Sequence, residues 1–422
     1  MDHQVPHHMP RAGDATALAA FLERGHTSGE STPGLATDAL RAIRNHLGMD
    51  VAFISELTST ERVFRYVDAD DADCPVEVGG ADPLEDSYCQ RVVDGRLPEL
   101  IHDAGSIPAA AELPVTAALP VGAHLSVPIR LAGGHVFGTF CCFSAAPDHS
   151  LNDRDLAMMR VFADLTAAQI DRDLGSERRH EHTRIRLRGA IAGDGLSMVF
   201  QPIAEMNHGE PIGFEALARF EQTPERGPDV WFAEAGEMGL RVDLELAAIR
   251  MALHHLPELP RQAYLAVNVS PATAISGRLD AALTDVPANR IVLEITEHDV
   301  IESYEQLEAA LSGLRRSGVR VAVDDAGAGY ASFRHILRLQ PDIIKLDMAL
   351  TRDIDRDPAR RALASALITF ARDTRSAIVA EGVETAAELR TLRRLGVSAA
   401  QGYFLGRPAP MRAMRQAVAL TI

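Results

Sequence analysis

The chain has 422 residues, 46% of them hydrophobic and 24% charged, with a formal net charge of −17. That length predicts two domains, and that composition excludes a disordered chain. The acidic balance excludes broad electrostatic binding to a nucleic acid polymer or an anionic lipid surface, while a small anionic substrate stays compatible if metal ions neutralise its site. No apolar run reaches the roughly 18 residues of a membrane span, and the polar, His-rich start Met1 to Pro10 does not read as a signal peptide. No membrane association is therefore expected. The four cysteines, Cys74, Cys89, Cys141 and Cys142, are few for this length and form no disulfide framework, which fits a reducing cytoplasm.

Residues 1–33 read as a mobile arm with a short helix from Thr16 to Glu23. From Gly34, helical spacing of Leu35, Leu40, Ile43 and Leu47 precedes two strand candidates, Val51 to Leu57 and Arg62 to Val67. Leu84 to Asp94 is expected to be helical and Pro98 to His102 extended. His124 to Leu131 and Val136 to Phe143 are apolar strands joined by Ala132-Gly133-Gly134-His135, a hairpin signal. A long helix begins at the capped Leu151-Asn152-Asp153 and passes Ile170. This order of elements, with its closing hairpin and helix, resembles a GAF domain over 34–173, which implies a sensory or dimerising role with an α+β, antiparallel-sheet fold. No ligand can be named for it. Cys89 reads as an ordinary buried thiol, Cys141 and Cys142 as strand core, and His124 and His135 as surface residues flanking the hairpin.

Residues 174–190 are dense in charge and predict a helical connector, with His180 and His182 on its solvated surface because side chains two apart diverge on a helix. From 191 to the end the rhythm is strand, loop, helix. Strand candidates are Ser197 to Ala204, Pro211 to Arg219, Ala263 to Val269, Arg290 to Thr296, Val319 to Asp325, Ile343 to Leu346, Ser376 to Glu381 and Ala399 to Phe404. Helical stretches such as Val242 to His254, Tyr304 to Arg315, Ala359 to Arg372 and Ala386 to Leu395 alternate with them. The pattern predicts an α/β chain with a closed (β/α)8 barrel.

Most of these strands end in a polar residue: Glu215, Asn268, Glu294, Asp324-Asp325, Lys345, Glu381 and Gln401. In a barrel such ends converge on one rim, where barrel enzymes do their chemistry. Carboxylates gathered there repel one another unless they are protonated or bind cations, and an oxygen-only donor set favours Mg²⁺ or Mn²⁺. Adjacent Asp324 and Asp325 suit two metals sharing a carboxylate. Lys345 is the only lysine in a chain that otherwise uses arginine for every basic side chain. Such a lysine points to a compact or tunable positive charge.

Phe214-Glu-Ala-Leu-Ala-Arg219 resembles the signature of EAL domains, the cyclic di-GMP phosphodiesterases. The likeness continues through Val267-Asn-Val-Ser270, Leu293-Glu-Ile-Thr-Glu297, Asp324-Asp325, Lys345-Leu-Asp347, Ala380-Glu-Gly-Val-Glu384 and Gln401-Gly-Tyr403, from about Arg184 to the end. The resemblance implies hydrolysis of one phosphodiester of cyclic di-GMP to give linear pGpG. It implies that Glu215, Asn268, Glu294 and Asp324 hold a first cation and Asp324 and Asp325 a second. Glu381 and Gln401 would complete the shell, with Glu215, Glu381 and Lys345 acting at the reacting water. Gln201, Arg219, Asp347 and Tyr403 are the implied substrate contacts. Glu297 would tether the loop after Asp325, and the working form would be a homodimer regulated by the GAF-like unit.

The family loop usually reads Asp-Phe-Gly-Thr-Gly-Tyr-Ser-Ser, and here it is Asp325-Ala-Gly-Ala-Gly-Tyr-Ala-Ser332. Loss of the aromatic and two hydroxyls predicts a less fixed loop and low basal activity. Trp231-Phe232-Ala233 replaces the usual Phe-Ile-Pro, read as a packing change. None of the implied metal ligands is missing. Two other readings stay open: a non-catalytic cyclic di-GMP receptor, and a different metal hydrolase on the same barrel. Gly327-Ala328-Gly329 is not a dinucleotide fingerprint, since its third glycine is absent.

Overall fold

The structure, a computed structural model, describes residues 32–71, 74–221, 225–296, 301–326 and 331–414. The helix expected at Thr16 to Glu23 lies outside them. The chain forms two compact units, Met1–Arg179 and His180–Ile422.

In the first unit, helix α1 (Thr32–Leu47) buries Ala36, Leu40, Ile43 and Leu47, one stripe at helical spacing. Six strands follow: β1 (Val51–Leu57), β2 (Glu61–Ala69), β3 (Ala81–Pro83), β4 (Leu100–Ile101), β5 (Ala123–Arg130) and β6 (Val136–Ser144). They form one antiparallel sheet in the order β3-β2-β1-β6-β5-β4. Strand alternation divides the core. Ile54, Leu125, Phe140 and Cys142 pack with the first helix and with Leu156, Met159 and Phe162, whereas Phe53, Phe64, Cys141 and Phe143 form a second cluster. Cys141 and Cys142 therefore belong to opposite faces.

The expected helix from Leu84 to Asp94 is broken. A 3₁₀ turn, Leu84–Asp86, gives way at Ser87, whose hydroxyl accepts from the Gln90 amide and starts helix α2 (Tyr88–Val93) afresh. The surface placement of His124 is also overturned. It is 2% exposed, its ring 4.6 Å from that of Tyr88, because alternation in β5 turns it to the face that α2 covers. His135, in the hairpin turn, is exposed. Helix α3 (Asp153–Ile191) is 39 residues long and runs unbroken through 174–190, with His180 and His182 exposed on it.

The second unit is a closed eight-stranded barrel. Its strands are β7 (Leu196–Glu205), β8 (Pro211–Phe220), β9 (Tyr264–Asn268), β10 (Ile291–Thr296), β11 (Arg320–Ala326), β12 (Ile343–Leu346), β13 (Ala377–Ala380) and β14 (Ala399–Ala400). Helices α4 (Pro228–Glu237), α5 (Arg241–His254), α6 (Tyr304–Ser317), α7 (Ala331–Leu339), α8 (Pro358–Thr374) and α9 (Ala386–Leu395) intervene. In a uniform βα repeat all eight neighbouring pairs would be parallel, but β7 runs antiparallel to both β8 and β14. The reason is local: the Glu205 carboxylate accepts from the Asn207 and His208 amides at 2.9 and 2.8 Å, closing a turn far too short for a crossover helix. The last strand stops at Ala400 instead of Phe404, because the Leu405 and Gly406 amides turn back to the Gly402 carbonyl at 3.0 Å.

The inside of the barrel is filled by one apolar layer: Ile203, Tyr264, Ala266, Val292, Ala322, Ile343, Val379 and Ala399. Leu265, Leu293, Val321, Val323 and Ile344 alternate with them and face the helices. Gly213 belongs beside this plug, since a Cβ there would stand 2.4–2.7 Å from the Tyr264 ring carbons.

Candidate metal centre

Side chains on a strand return to the same face every second residue. Two steps beyond Ala266, Val292, Ala322, Ile343, Val379 and Ala399 stand Asn268, Glu294, Asp324, Lys345, Glu381 and Gln401. The same step from Gly213 reaches Glu215. On the reversed strand β7, two residues back from Ile203 stands Gln201, directly opposite Glu215 in register. The layer above the apolar plug is thus wholly polar, drawn from all eight strands.

Lys345 sits at its centre, 1% exposed. Its Nζ lies 2.8 Å from Glu381 Oε1, 2.9 Å from Glu294 Oε2, 3.1 Å from Asp324 Oδ1 and 3.7 Å from Glu215 Oε2. Gln401 Nε2 donates to Glu215 Oε2 at 2.6 Å and to Gln201 Oε1 at 2.9 Å, and Gln201 Nε2 donates to the Gly406 carbonyl at 3.0 Å. Asn268 Nδ2 is 3.4 Å from Glu215 Oε1.

Burial pushes the carboxyls of Glu294 and Glu381 well above the usual range; Lys345 opposes this, while Glu215 and Asp324 add to it. Burial lowers the Lys345 pKa, but Asp324, Glu215, Glu294 and Glu381 together raise it well above its ordinary value. Four carboxyl groups around one ammonium carry surplus negative charge in a place where charge is poorly solvated. That imbalance is removed by protons or by cations.

In a regular strand Asp324 and Asp325 would point to opposite faces. Here Asp325 has φ 56°, in the left-handed region, and the pairing of β11 with β12 slips between Val323 and Ala326. A non-glycine residue in that region costs about 1–3 kcal/mol, strain of the kind that gathers at functional sites. Oxygens of Glu215, Glu294 and Asp324 all lie within 4.8 Å of one another, and so do oxygens of Asp324, Asp325 and Glu381. The two groups share Asp324. Hard oxygen donors, excess negative charge and a shared carboxylate fit a pair of divalent cations of the Mg²⁺ or Mn²⁺ kind. The Gln401 Oε1 atom, buried without a hydrogen-bond partner, is a further oxygen available to them.

A cleft of about 500 Å³ opens over the layer, lined by Gln201, Glu215, Asp324, Asp325, Glu381 and Gln401 among others. Asp347 and Tyr403 also line it. The Asp347 carboxylate caps the short helix Met348–Thr351, and Tyr403 is 53% exposed with the Arg407 guanidinium 4.3 Å from its ring centre. Arg219 does not line this cleft. It borders a neighbouring cavity of about 260 Å³, against α4 and α5, that Asn268 and Leu217 also line, and its Nη1 donates to the Ala218 carbonyl. Glu297 lies outside the described residues. Glu384 and Met348 also line the main cleft and were not singled out from sequence. The signal for Glu384 was its place in the Ala380 to Glu384 string.

Residues 184–408 match the family model described as EAL domain, and residues 29–171 match the one described as GAF domain. The chain is 31% identical over 242 residues to the cyclic di-GMP phosphodiesterase NbdA of Pseudomonas aeruginosa, covering 54% of this chain and 31% of that protein. It is 32% identical over 232 residues to the probable cyclic di-GMP phosphodiesterase PdeD of Escherichia coli K12, covering 53% and 43%. The chain spans between 29% and 43% of the length of the curated relatives it matches. Among solved structures, the PaMucR phosphodiesterase in complex with c-di-GMP matches with a TM-score of 0.50 and 29% identity, over 55% of this chain and 99% of that one. The EAL enzyme Bd1971 matches with a TM-score of 0.54 at 16% identity, over 88% and 93%, a likeness of fold. Among the described residues no helix is long and apolar enough to cross a membrane.

Proposed function

This chain belongs to the EAL-domain family, with a GAF domain ahead of the barrel, and from that premise we propose that it hydrolyses one phosphodiester of cyclic di-GMP to give linear pGpG. The observation that carries the reading is the pair of three-carboxylate groups joined at Asp324 beside a buried lysine. Relatives named as cyclic di-GMP phosphodiesterases support the substrate class.

Glu215, Asn268, Glu294 and Asp324 would hold one divalent cation, and Asp324 with Asp325 a second, with Glu381 and Gln401 completing the set. When bound, Mg²⁺ or Mn²⁺ supplies Lewis-acid charge that activates water and offsets the phosphate. Lys345 directs its ammonium hydrogens at Glu294, Asp324 and Glu381, which fixes those carboxylates and leaves a charged donor beside the reacting water. Its part would be to orient that water and, as a fixed positive charge, to help a neighbouring carboxylate deprotonate it. Gln201, held by Gln401 and the Gly406 carbonyl, presents a rigid amide to the substrate, and Asp347 and Tyr403 border the cleft where a guanine edge and face would lie. Arg219 would reach a phosphate from the adjoining cavity.

We assign the working form to a cytoplasmic homodimer regulated by the GAF domain, with the unbroken helix Asp153–Ile191 as the connecting element. The test is turnover of cyclic di-GMP by the full chain, with Mn²⁺ or Mg²⁺ and with EDTA. Metal-dependent appearance of pGpG is expected. Tight binding without product would replace the enzyme reading with that of a receptor.

A further inference from the structure

The sheet face opposite α1 carries a chain of buried polar side chains that plays no part in the barrel. Arg62 on β2 is 3% exposed, with Nε donating to Asp82 Oδ1 at 2.8 Å and Nη2 to Oδ2. Its Nη1 points elsewhere, at Cys89 Sγ on α2, 3.3 Å away. Cys89 Sγ in turn lies 3.5 Å from Cys141 Sγ on β6. The Ser55 hydroxyl stands 3.6 Å from Cys89, while Ser126 and Thr139 hydroxyls each lie 3.1 Å from Cys141. Both thiols are fully buried, and Cys74 packs partly exposed against the same cluster.

From this geometry we propose that Cys89 and Cys141 are a redox pair, in which a hydroperoxide oxidises Cys89 and Cys141 resolves it to an intradomain disulfide.

The Asp82 carboxylate takes only the Nε and Nη2 side of the guanidinium, so Nη1 still needs an acceptor, and a thiol in an apolar core is ordinarily inert. Here the cation is aimed at the sulfur. Burial raises the Cys89 pKa, but the Cys141 thiol, the Arg62 charge and the Thr139 hydroxyl outweigh it and bring it to about 5, while burial and Cys89 itself push Cys141 well above its ordinary value. One sulfur is thereby the nucleophile and the other keeps its proton. The Cys89 thiolate attacks the outer peroxide oxygen, the O–O bond breaks, and the alcohol or water leaves with a proton, giving Cys89 sulfenic acid. Cys141 sulfur then attacks Cys89 Sγ, the S–O bond breaks, and water departs with the Cys141 proton. Two thiols are oxidised and one peroxide is reduced. The sulfurs must close from 3.5 Å to a bond of about 2.05 Å, a shift within reach of side-chain rotation and a small movement of the six-residue helix that carries Cys89.

The test is peroxide titration of the full chain, followed by quenching with N-ethylmaleimide in denaturant and peptide mass spectrometry. A Cys89–Cys141 cross-linked peptide that dithiothreitol releases is expected, absent from Cys89→Ser and Cys141→Ser. In Cys141→Ser, Cys89 should accumulate as a sulfenic acid that dimedone captures. Arg62→Gln, checked for folding by circular dichroism, should slow the cross-link about tenfold or more by depleting the thiolate. Cys89 and Cys141 still free when Cys74 is fully oxidised, or Cys89 joined to Cys74 or Cys142 instead, would overturn the proposal. An unchanged rate in folded Arg62→Gln would overturn the part given to the arginine.

Discussion

Lys345→Met removes the only positive charge inside the polar layer and leaves the four surrounding carboxyl groups facing one another. Lys345 contacts three of them at 2.8–3.1 Å and is 1% exposed, so solvent cannot take its place. Breaking a buried ion pair by removing one partner costs about 3–5 kcal/mol. Part of that loss is relieved by proton uptake, because Glu294 and Glu381 already have raised pKa values with the lysine present. A carboxyl raised in the folded state binds more protons there than when unfolded, so its contribution is fully present at low pH and falls as pH rises toward the folded value. For each extra proton the variant holds, its stability should fall by about 1.4 kcal/mol per pH unit relative to wild type. The chain has a single tryptophan, Trp231, buried in the barrel and stacked on Phe220 at 4.4 Å. Its fluorescence therefore follows barrel unfolding alone. Urea titrations in EDTA at pH 6, 7 and 8 should show a gap between variant and wild type that widens with pH, and saturating Mn²⁺ should narrow it. A variant as stable as wild type, or a gap independent of pH, would refute the reasoning that the lysine offsets surplus negative charge.

Lys345→Arg should lower turnover at least about a hundredfold with little change in cyclic di-GMP affinity, measured by product formation against calorimetry, because the planar guanidinium cannot replace a compact three-hydrogen donor. Ca²⁺ should bind the carboxylate layer yet support little turnover in the same assay, since its looser coordination positions water poorly. In the GAF domain, burial and then the Arg62 charge hold His124 down to about 3. A histidine depressed in the folded state adds stability that is complete above its unfolded pKa near 6.5 and lost as pH falls below it. From pH 7 to pH 5 the loss should be about 2 kcal/mol, read as faster hydrogen exchange in β5 and β6, and His124→Phe should remove that dependence.

The barrel and its polar layer were legible because strand alternation is regular: an apolar plug residue at one position fixes the polar residue two steps on, as in Val292 and Glu294 or Val379 and Glu381. The family strings fixed the same residues independently. Features that depend on turns were not legible. The reversal of β7 follows from a turn closed by Glu205, and Asp325 joins Asp324 only because its backbone enters the left-handed region. Burial of His124 and the approach of Arg62 to Cys89 depend on how α2 lies on the sheet, which periodicity along one strand does not encode. Arg219 shows the same limit: its string places it two steps past Leu217, yet the side chain borders the adjoining cavity.

The most direct measurement is an anomalous scattering map from crystals soaked in Mn²⁺. Two peaks inside the polar layer, both within coordination reach of Asp324 and with Lys345 moved away from at least one of its carboxylates, are the predicted result. A layer that stays ion-free in saturating Mn²⁺, with the ammonium still bridging Glu294, Asp324 and Glu381, would contradict the account.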